Sequence, residues 1–418
     1  MRTIALLALA IAARAAVIGT STAALPLTVE RIAALTRAQR AEWQAYLDRS
    51  LQQRTQDRAA LAREMKEAGL TEALVPPSGS AARSIPLNQP AEWYATTEAR
   101  RIADIVVSFQ TPAGGWSKNL NLADHVRRSG EHFAPDNRSR FLAAGDFDAP
   151  HDTGWNYVGT LDNDATITEM RFLAKIVASG GGDRYRASFD HGVEYLLAAQ
   201  FPNGGWPQVW PLEGGYHDAV TFNDGAMTAA LELLQSVAAG EYPFVPSTIR
   251  ERARKSVDRG IACILAAQVI VNGRRTVWGQ QHDQLTLKPA AGRNYEPAAV
   301  CSSESAGILR FLMTIAKPSP NLITAVEAGI AWVQQTAIRD KAYVRGPNGR
   351  ELVAAPGGET IWARFYEIGS NRPVFGDRDK TIHDDVAEIS RERRDGYSWY
   401  TSAPREILER YASWKIAR

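Results

Sequence analysis

Two cysteines in 418 residues, Cys263 and Cys301, are too few for a disulfide framework. They fit either one pair or two buried thiols. The seven histidines are scattered, and none falls in a His-Glu-x-x-His or Cys/His spacing, which excludes the common zinc sites. No run of five like charges occurs and the formal net charge is +2, so neither a nucleic-acid tail nor a strong overall field is present. Beyond the first residues, no apolar stretch is long enough for a membrane helix. Gly-x-Ser-x-Gly, Walker and Rossmann motifs are absent.

What is present is ordinary globular composition, 45% hydrophobic and 22% charged. Arg2, the apolar run 4–13 and the small residues up to Ala24 predict a secretory signal over residues 1–24, hence a secreted or periplasmic protein. Residues 28–70 carry apolar groups at helical spacing, among them Trp43, Tyr46, Leu47 and Leu61. A proline- and serine-rich stretch, 76–90, follows. Residues 25–90 therefore read as a helical extension and linker, and the core domain as 91–418.

The core repeats itself. Helical patterns over 94–109, 184–200 and 248–268 end in Gln110…Gly114-Gly115-Trp116, Gln200…Gly204-Gly205-Trp206 and, more loosely, Gln268…Gly273…Trp278. A polar cluster then opens a second helix. The clusters are Asp162-Asn163-Asp164-Ala165-Thr166, Asn223-Asp224-Gly225 and Ser302-Ser303-Glu304. Asp, Asn and Thr at such positions cap free backbone N–H groups. Each unit is a helical hairpin that cannot bury its apolar face alone. Three inner/outer pairs predict an all-α fold, an α/α toroid with long loops around a groove at one face. A linear helical solenoid is the competing architecture. The tryptophans fit bundle plugs or sugar-stacking faces.

Acidic caps gathered at one groove offer two chemistries. Asp162, Asn163, Asp164 and Asp224 are oxygen donors suited to Ca²⁺, without EF-hand spacing. Alternatively, paired carboxylates serve glycoside hydrolysis. Cations follow in loops: Lys288 and Arg293, then Arg364, Arg372 and Arg378. Arginine forks suit carboxylates. Acids and arginines together fit an anionic sugar bridged by a divalent cation. His282 fits either a catalytic or a structural role.

Several long motifs, in one order from about Glu92 onward, resemble the pectate lyases of polysaccharide lyase family ten. They are Asp162-Asn163-Asp164-Ala165-Thr166, Phe222-Asn223-Asp224-Gly225-Ala226-Met227, Trp278-Gly279-Gln280-Gln281-His282-Asp283, Arg293-Asn294-Tyr295-Glu296-Pro297, Arg364-Phe365-Tyr366-Glu367 and Gly396-Tyr397-Ser398-Trp399-Tyr400. Ser117 stands where the family carries Pro, and Gly376 where members often carry Cys. The resemblance implies calcium-dependent β-elimination on polygalacturonate, giving 4,5-unsaturated products, on an α/α toroid. Carried over by motif, Arg293 resembles the base and Asp162 and Asp224 the metal-side acids, Asp162 counting also among the catalytic residues. Asn163, Arg364, Arg378, Lys118 and Lys288 are the expected substrate contacts. The expected partner is pectate, with no nucleic acid and no membrane, and the expected state is a monomer. A hydrolase of acidic polysaccharide using paired carboxylates, or a non-catalytic pectin-binding protein, are the alternatives.

Overall fold

A computed structural model describes residues 16–80, 84–152 and 154–416. Eleven helices of α type are described: α1 (Val29–Ala33), α2 (Arg37–Glu67), α3 (Thr97–Ser108), α4 (Ile167–Ala178), α5 (Asp183–Ala199), α6 (Ala226–Ala239), α7 (Ser247–Ala267), α8 (Ser302–Leu312), α9 (Pro320–Gln335), α10 (Arg391–Gly396) and α11 (Ala403–Ile416). The apolar periodicity of the repeat sorts them into two layers. α4, α6 and α8 lie side by side within, and α3, α5, α7 and α9 pack outside them. Leu173, Ile176, Leu231, Leu234, Leu309 and Leu312 are all buried in one continuous core.

The Gln…Gly…Trp loops stitch the outer layer. The Gln110 side-chain amide donates to the Gly114 and Ser188 carbonyls, Gln200 to Gly204 and Ser256, and Gln268 to Thr276 and Ala325. Each glutamine thus ties its own loop to the next outer helix. Glycine is required where that approach is tightest. At φ 103 and 93, a Cβ on Gly114 would lie 2.5 Å from the His191 carbonyl oxygen, and one on Gly204 2.1 Å from that of Arg259. Trp116, Trp206 and Trp278 are fully buried, and each indole N–H donates to a carbonyl of the helix before it: Val106, Leu196 and Ile264. The plug reading is therefore correct for these tryptophans. Trp362 repeats the device on Val333, a fourth copy that the sequence pattern does not show.

The all-α toroid expectation is overturned. Small antiparallel sheets form much of the loop face. They are built from β1 (Gly19–Thr20), β2 (Val220–Thr221), β3 (Ile270–Val271), β4 (Arg274–Arg275), β5 (Gln281–His282), β6 (Pro289–Ala290), β7 (Val300–Cys301), β8 (Lys341–Gly346), β9 (Gly349–Ala354), β10 (Trp362–Ala363), β11 (Phe365–Tyr366), β12 (Pro373–Gly376), β13 (Thr381–His383) and β14 (Tyr400–Thr401). The largest sheet runs β1-β13-β12-β11-β7, and β2-β5-β6 is the next. Most strands are two residues long, too short for a period-2 pattern to be read. The β8–β9 hairpin turns at Gly346-Pro347-Asn348-Gly349, a stretch that reads as a turn without revealing its strands.

The N-terminal segment joins the same core. Leu27, Ile32, Trp43, Tyr46, Leu47 and Ile85 belong to its hydrophobic cluster, and β1 pairs with β13. The predicted signal falls largely on residues 1–15, outside the described residues. Among the described residues, no helix is long and apolar enough to cross a membrane. Cys263 and Cys301 are both buried free thiols.

Candidate active site

The acidic clusters do not cap their helices. None of α4, α6 and α8 has a capping hydrogen bond from the side chain of its N-cap residue, which corrects the capping expectation. Asp162-Asn163-Asp164 and Asn223-Asp224-Gly225 are instead single 3-10 turns, and the two turns pack against each other. In each, the middle residue is left-handed, Asn163 at φ 54 and Asp224 at φ 50. Non-glycine residues in that region carry strain, which the surrounding structure has to hold. The matching backbones make Asn163 and Asp224 the equivalent positions of the repeat. The carboxylates, spared from capping, face a small polar cavity.

That cavity, about 80 Å³, is lined by Lys118, Tyr157, Asp162, Asn163, Gln208, Tyr216, Asn223, Asp224, Gln280, Gln281, Arg293 and Glu296. The strands deliver these groups. β2 pairs with β5 in the register Val220↔His282 and Thr221↔Gln281, which sets the Asp224 turn beside Gln280 and Gln281. β5 pairs with β6, and the chain leaves β6 for Arg293. His282 holds this turn from within: its Nε2 accepts from the Gly279 N–H at 2.9 Å, and its Nδ1 faces the Leu287 carbonyl at 2.8 Å. Burial lowers its pKa to about 4, so it is a neutral structural histidine.

Lys118 Nζ lies 2.6 Å from Asp162 Oδ2 and 3.4 Å from the centroid of the Tyr157 ring. Gln208 Nε2 donates to Asp162 Oδ1 at 3.0 Å. Burial opposes the Asp162 charge, but Lys118 and then Arg293 keep its pKa below the ordinary carboxylate value. Asp224 goes the other way. Burial, then the Asp162 and Glu304 carboxylates, raise it to about 6.

Arg293 forms a two-pronged pair with Glu296, Nε to Oε2 at 3.1 Å and Nη2 to Oε1 at 2.7 Å. The Tyr397 hydroxyl also donates to Glu296 Oε1, at 2.8 Å. Burial opposes the charge of Glu296, yet Arg293 holds its pKa down to about 2. For Arg293, burial favours the neutral form, but Glu296 outweighs it and the pKa is raised. A base role asks for a depressed guanidinium pKa, so this neighbour works against it.

Arg364 stands one layer away. The β7–β11 register, Cys301↔Phe365, sets it against Glu304 at the start of α8. Its Nη2 is paired with Glu304 and lies 3.3 Å from Asn223 Oδ1. Arg364, Asp224 and Glu304 line a second cavity of about 250 Å³. Arg378 lines neither cavity. It pairs with Glu392 at 2.8 Å and lies 5.5 Å from the centroid of the Tyr295 ring, which Arg293 also approaches, at 5.2 Å. Lys288 is exposed and lines neither cavity.

The structure thus brings Lys118, Asp162, Asn163, Asp224 and Arg293 together, with Arg364 adjacent and Arg378 further out. Sequence reasoning passed over Tyr157, Gln208 and Tyr216, which sit in loops without any pattern. Gln280, Gln281, Glu296 and Tyr397 lay inside quoted motifs, but side-chain direction in a loop is not readable from spacing.

Among the described residues, no cluster of three or more His, Cys, Asp or Glu side chains is arranged to hold a metal ion. The donor chemistry nevertheless fits a hard cation. Asp162 and Asp224 share the cavity with Glu296, which is taken up by Arg293, and the Asp224 carboxyl is raised by burial and then by its acidic neighbours. The Gln208 and Gln281 Oε1 atoms are buried there without a hydrogen-bond partner among the described residues. Amide and carboxylate oxygens are the ligands such an ion takes.

Carboxylates, amides, a lysine and a guanidinium around one polar cavity, on loops over a helical scaffold, define an enzyme site for an acidic, oxygen-rich ligand. The comparisons name the family. The pectic acid lyase family model matches residues 110–408, most of the chain, so the chain belongs to that family of lyases. It is similar to a mutant family 10 polysaccharide lyase from Cellvibrio cellulosa solved in complex with trigalacturonic acid. The two are 33% identical over 79% of this chain and 98% of that one, with a TM-score of 0.65. A second structure, a family 10 polysaccharide lyase from the same organism, is also 33% identical, with coverage of 80% and 98% and a TM-score of 0.65. A search of curated proteins finds no match.

Proposed function

We propose that this chain is a secreted or periplasmic, calcium-dependent pectate lyase, acting as a monomer, with residues 91–418 as its catalytic domain. It cleaves the α-1,4 bonds of polygalacturonate by β-elimination and leaves 4,5-unsaturated oligogalacturonates. The observation that carries this reading is the meeting of Asp162, Asp224 and Arg293 around one cavity, although they are far apart in sequence.

The C5 hydrogen of a galacturonate is α to a carboxylate and only weakly acidic. Its removal needs the developing enolate-like charge to be stabilised and a base to be placed at C5. Asp162 and Asp224 would hold the calcium ion, with Asn163, Gln208 and Gln281 supplying further oxygens. When bound, the ion neutralises the substrate carboxylate as a Lewis acid. Lys118 and Arg364 add cationic charge on either side of the two acidic turns. Arg293 is the base that takes the C5 proton; the C4–C5 double bond forms as the C4–O4 bond of the same sugar breaks, and the glycosidic oxygen leaves on C1 of the neighbouring sugar, where it becomes a hydroxyl. Its fork is turned to Glu296 through Nε and Nη2, and Nη1 makes no hydrogen bond among the described residues. Glu296 stabilises the guanidinium, so the neutral guanidine is populated only in alkali and the activity rises with pH.

The same pair favours a second reading, in which Arg293 stays charged and stabilises the enolate as a cation. A pH–rate profile separates the two, as argued below. The overall reading is tested by incubating the full chain with polygalacturonate. An unsaturated, ultraviolet-absorbing product that chelation abolishes and calcium restores is expected. Reducing ends without that absorbance would identify a hydrolase, and no product would leave a binding protein.

A further inference from the structure

Phe141 is one of the few large apolar residues left exposed, at 41%. Exposure of a single phenylalanine carries little meaning by itself. Its surroundings do. The Arg378 guanidinium carbon lies 4.5 Å from the centroid of its ring, and that of Arg140 4.9 Å. The segment around it, 138–152, is pinned beside the active site rather than loose in solvent. Asn294, the neighbour of Arg293, holds it at two points. Its Oδ1 accepts from the Phe147 N–H at 2.9 Å, and its Nδ2 donates to Asp146 Oδ1 at 2.7 Å. The same Nδ2 lies 2.6 Å from the Arg378 carbonyl oxygen. Lys380 Nζ donates to the Gly145 carbonyl at 2.9 Å and lies 5.0 Å from the Phe147 ring. At its far end, His151 sits so close to the turn before Tyr216 that a Cβ on Gly215 would lie 3.0 Å from it.

We propose that residues 138–152 are the outer wall of the uronate groove, and that Phe141 is its stacking platform. With Arg378 it completes a subsite for a galacturonate beyond the one that reacts. The inference rests on the reading of the site given above. A uronate ring offers an apolar C–H face and a carboxylate at its edge; the exposed part of the Phe141 ring matches the first, and the Arg378 guanidinium lying over that ring matches the second. Arg378 turns Nε and Nη2 to Glu392, and its Nη1 makes no hydrogen bond among the described residues. Asn294 links this subsite to the base through adjacent backbone. The wall therefore reads sugars further along the polymer and leaves the chemical step alone.

The test compares Phe141→Ala, Phe141→Leu and Phe141→Trp in the full chain with calcium supplied. The Ala and Leu variants are expected to raise KM for polygalacturonate about tenfold with kcat within about twofold, and Trp to keep KM near the parent value. An unchanged KM in Phe141→Ala, or Leu performing as well as Trp, would overturn the proposal, since Leu restores bulk without an aromatic face. If the parent chain forms no unsaturated product, the reading of the catalytic site fails. Calorimetric titration of trigalacturonate into the parent and Phe141→Ala proteins then still judges the subsite: weaker binding to the variant supports it and equal binding rejects it.

Discussion

Arg293 and Glu296 hold each other in a two-pronged ion pair, and Glu296 is 2% exposed. A carboxylate so placed keeps a guanidinium charged. The base role therefore sets a sharp expectation for Glu296→Gln. Removing the negative charge lowers the Arg293 pKa. If Arg293 is the base, more neutral guanidine is present at a given pH, and the alkaline rise of kcat moves to lower pH. If Arg293 acts only as a cation, that rise stays where it is and kcat falls. The pH dependence of kcat in the two proteins decides.

Calcium binding should fade in mild acid. The Asp224 carboxyl is raised to about 6 by burial and by the Asp162 and Glu304 charges. A raised carboxyl is protonated below that pH, and a protonated carboxyl is no ligand. Apparent calcium affinity should fall by about tenfold per pH unit below 6 and level off above it. Calorimetric titrations at several pH values would show this. A calcium affinity independent of pH between about 4 and 7 would remove Asp224 from the ligand set.

Arg378 should act on binding. It lines neither cavity, and its side chain is held by Glu392. Arg378→Ala should raise KM for polygalacturonate about tenfold while kcat changes little. A large fall in kcat at unchanged KM would place it at the reacting sugar instead.

The buried tryptophans should matter for stability rather than for sugar binding. Trp206 is fully buried and donates its indole N–H to the Leu196 carbonyl. Trp206→Ala should cost about 3–5 kcal/mol of folding stability through the cavity it leaves. Chemical denaturation measures this. A stable variant with weakened polygalacturonate binding would restore the sugar-stacking reading of these loops.

The helical repeat was legible because its period and its Gln…Gly…Trp punctuation follow from packing one hairpin on the next. The sheets were not, because two-residue strands such as β7 and β11 are defined by partners far away in sequence. Asp162, Asp224 and Arg293 stood out through recurring turns and family-like motifs. Their real surroundings did not. Asp162 looks like a helix cap in sequence, yet a left-handed turn takes it off the helix and gives it to Lys118. Glu296 lies three residues from Arg293, and only the fold shows that it forks onto that guanidinium and raises its pKa.

Arg293→Ala gives the most direct test of the account. The variant is expected to bind trigalacturonate within about tenfold of the parent protein and to form no ultraviolet-absorbing product from polygalacturonate at any pH. Unsaturated product formed at a rate near the parent's would contradict it, because the proton would then be leaving C5 by another route.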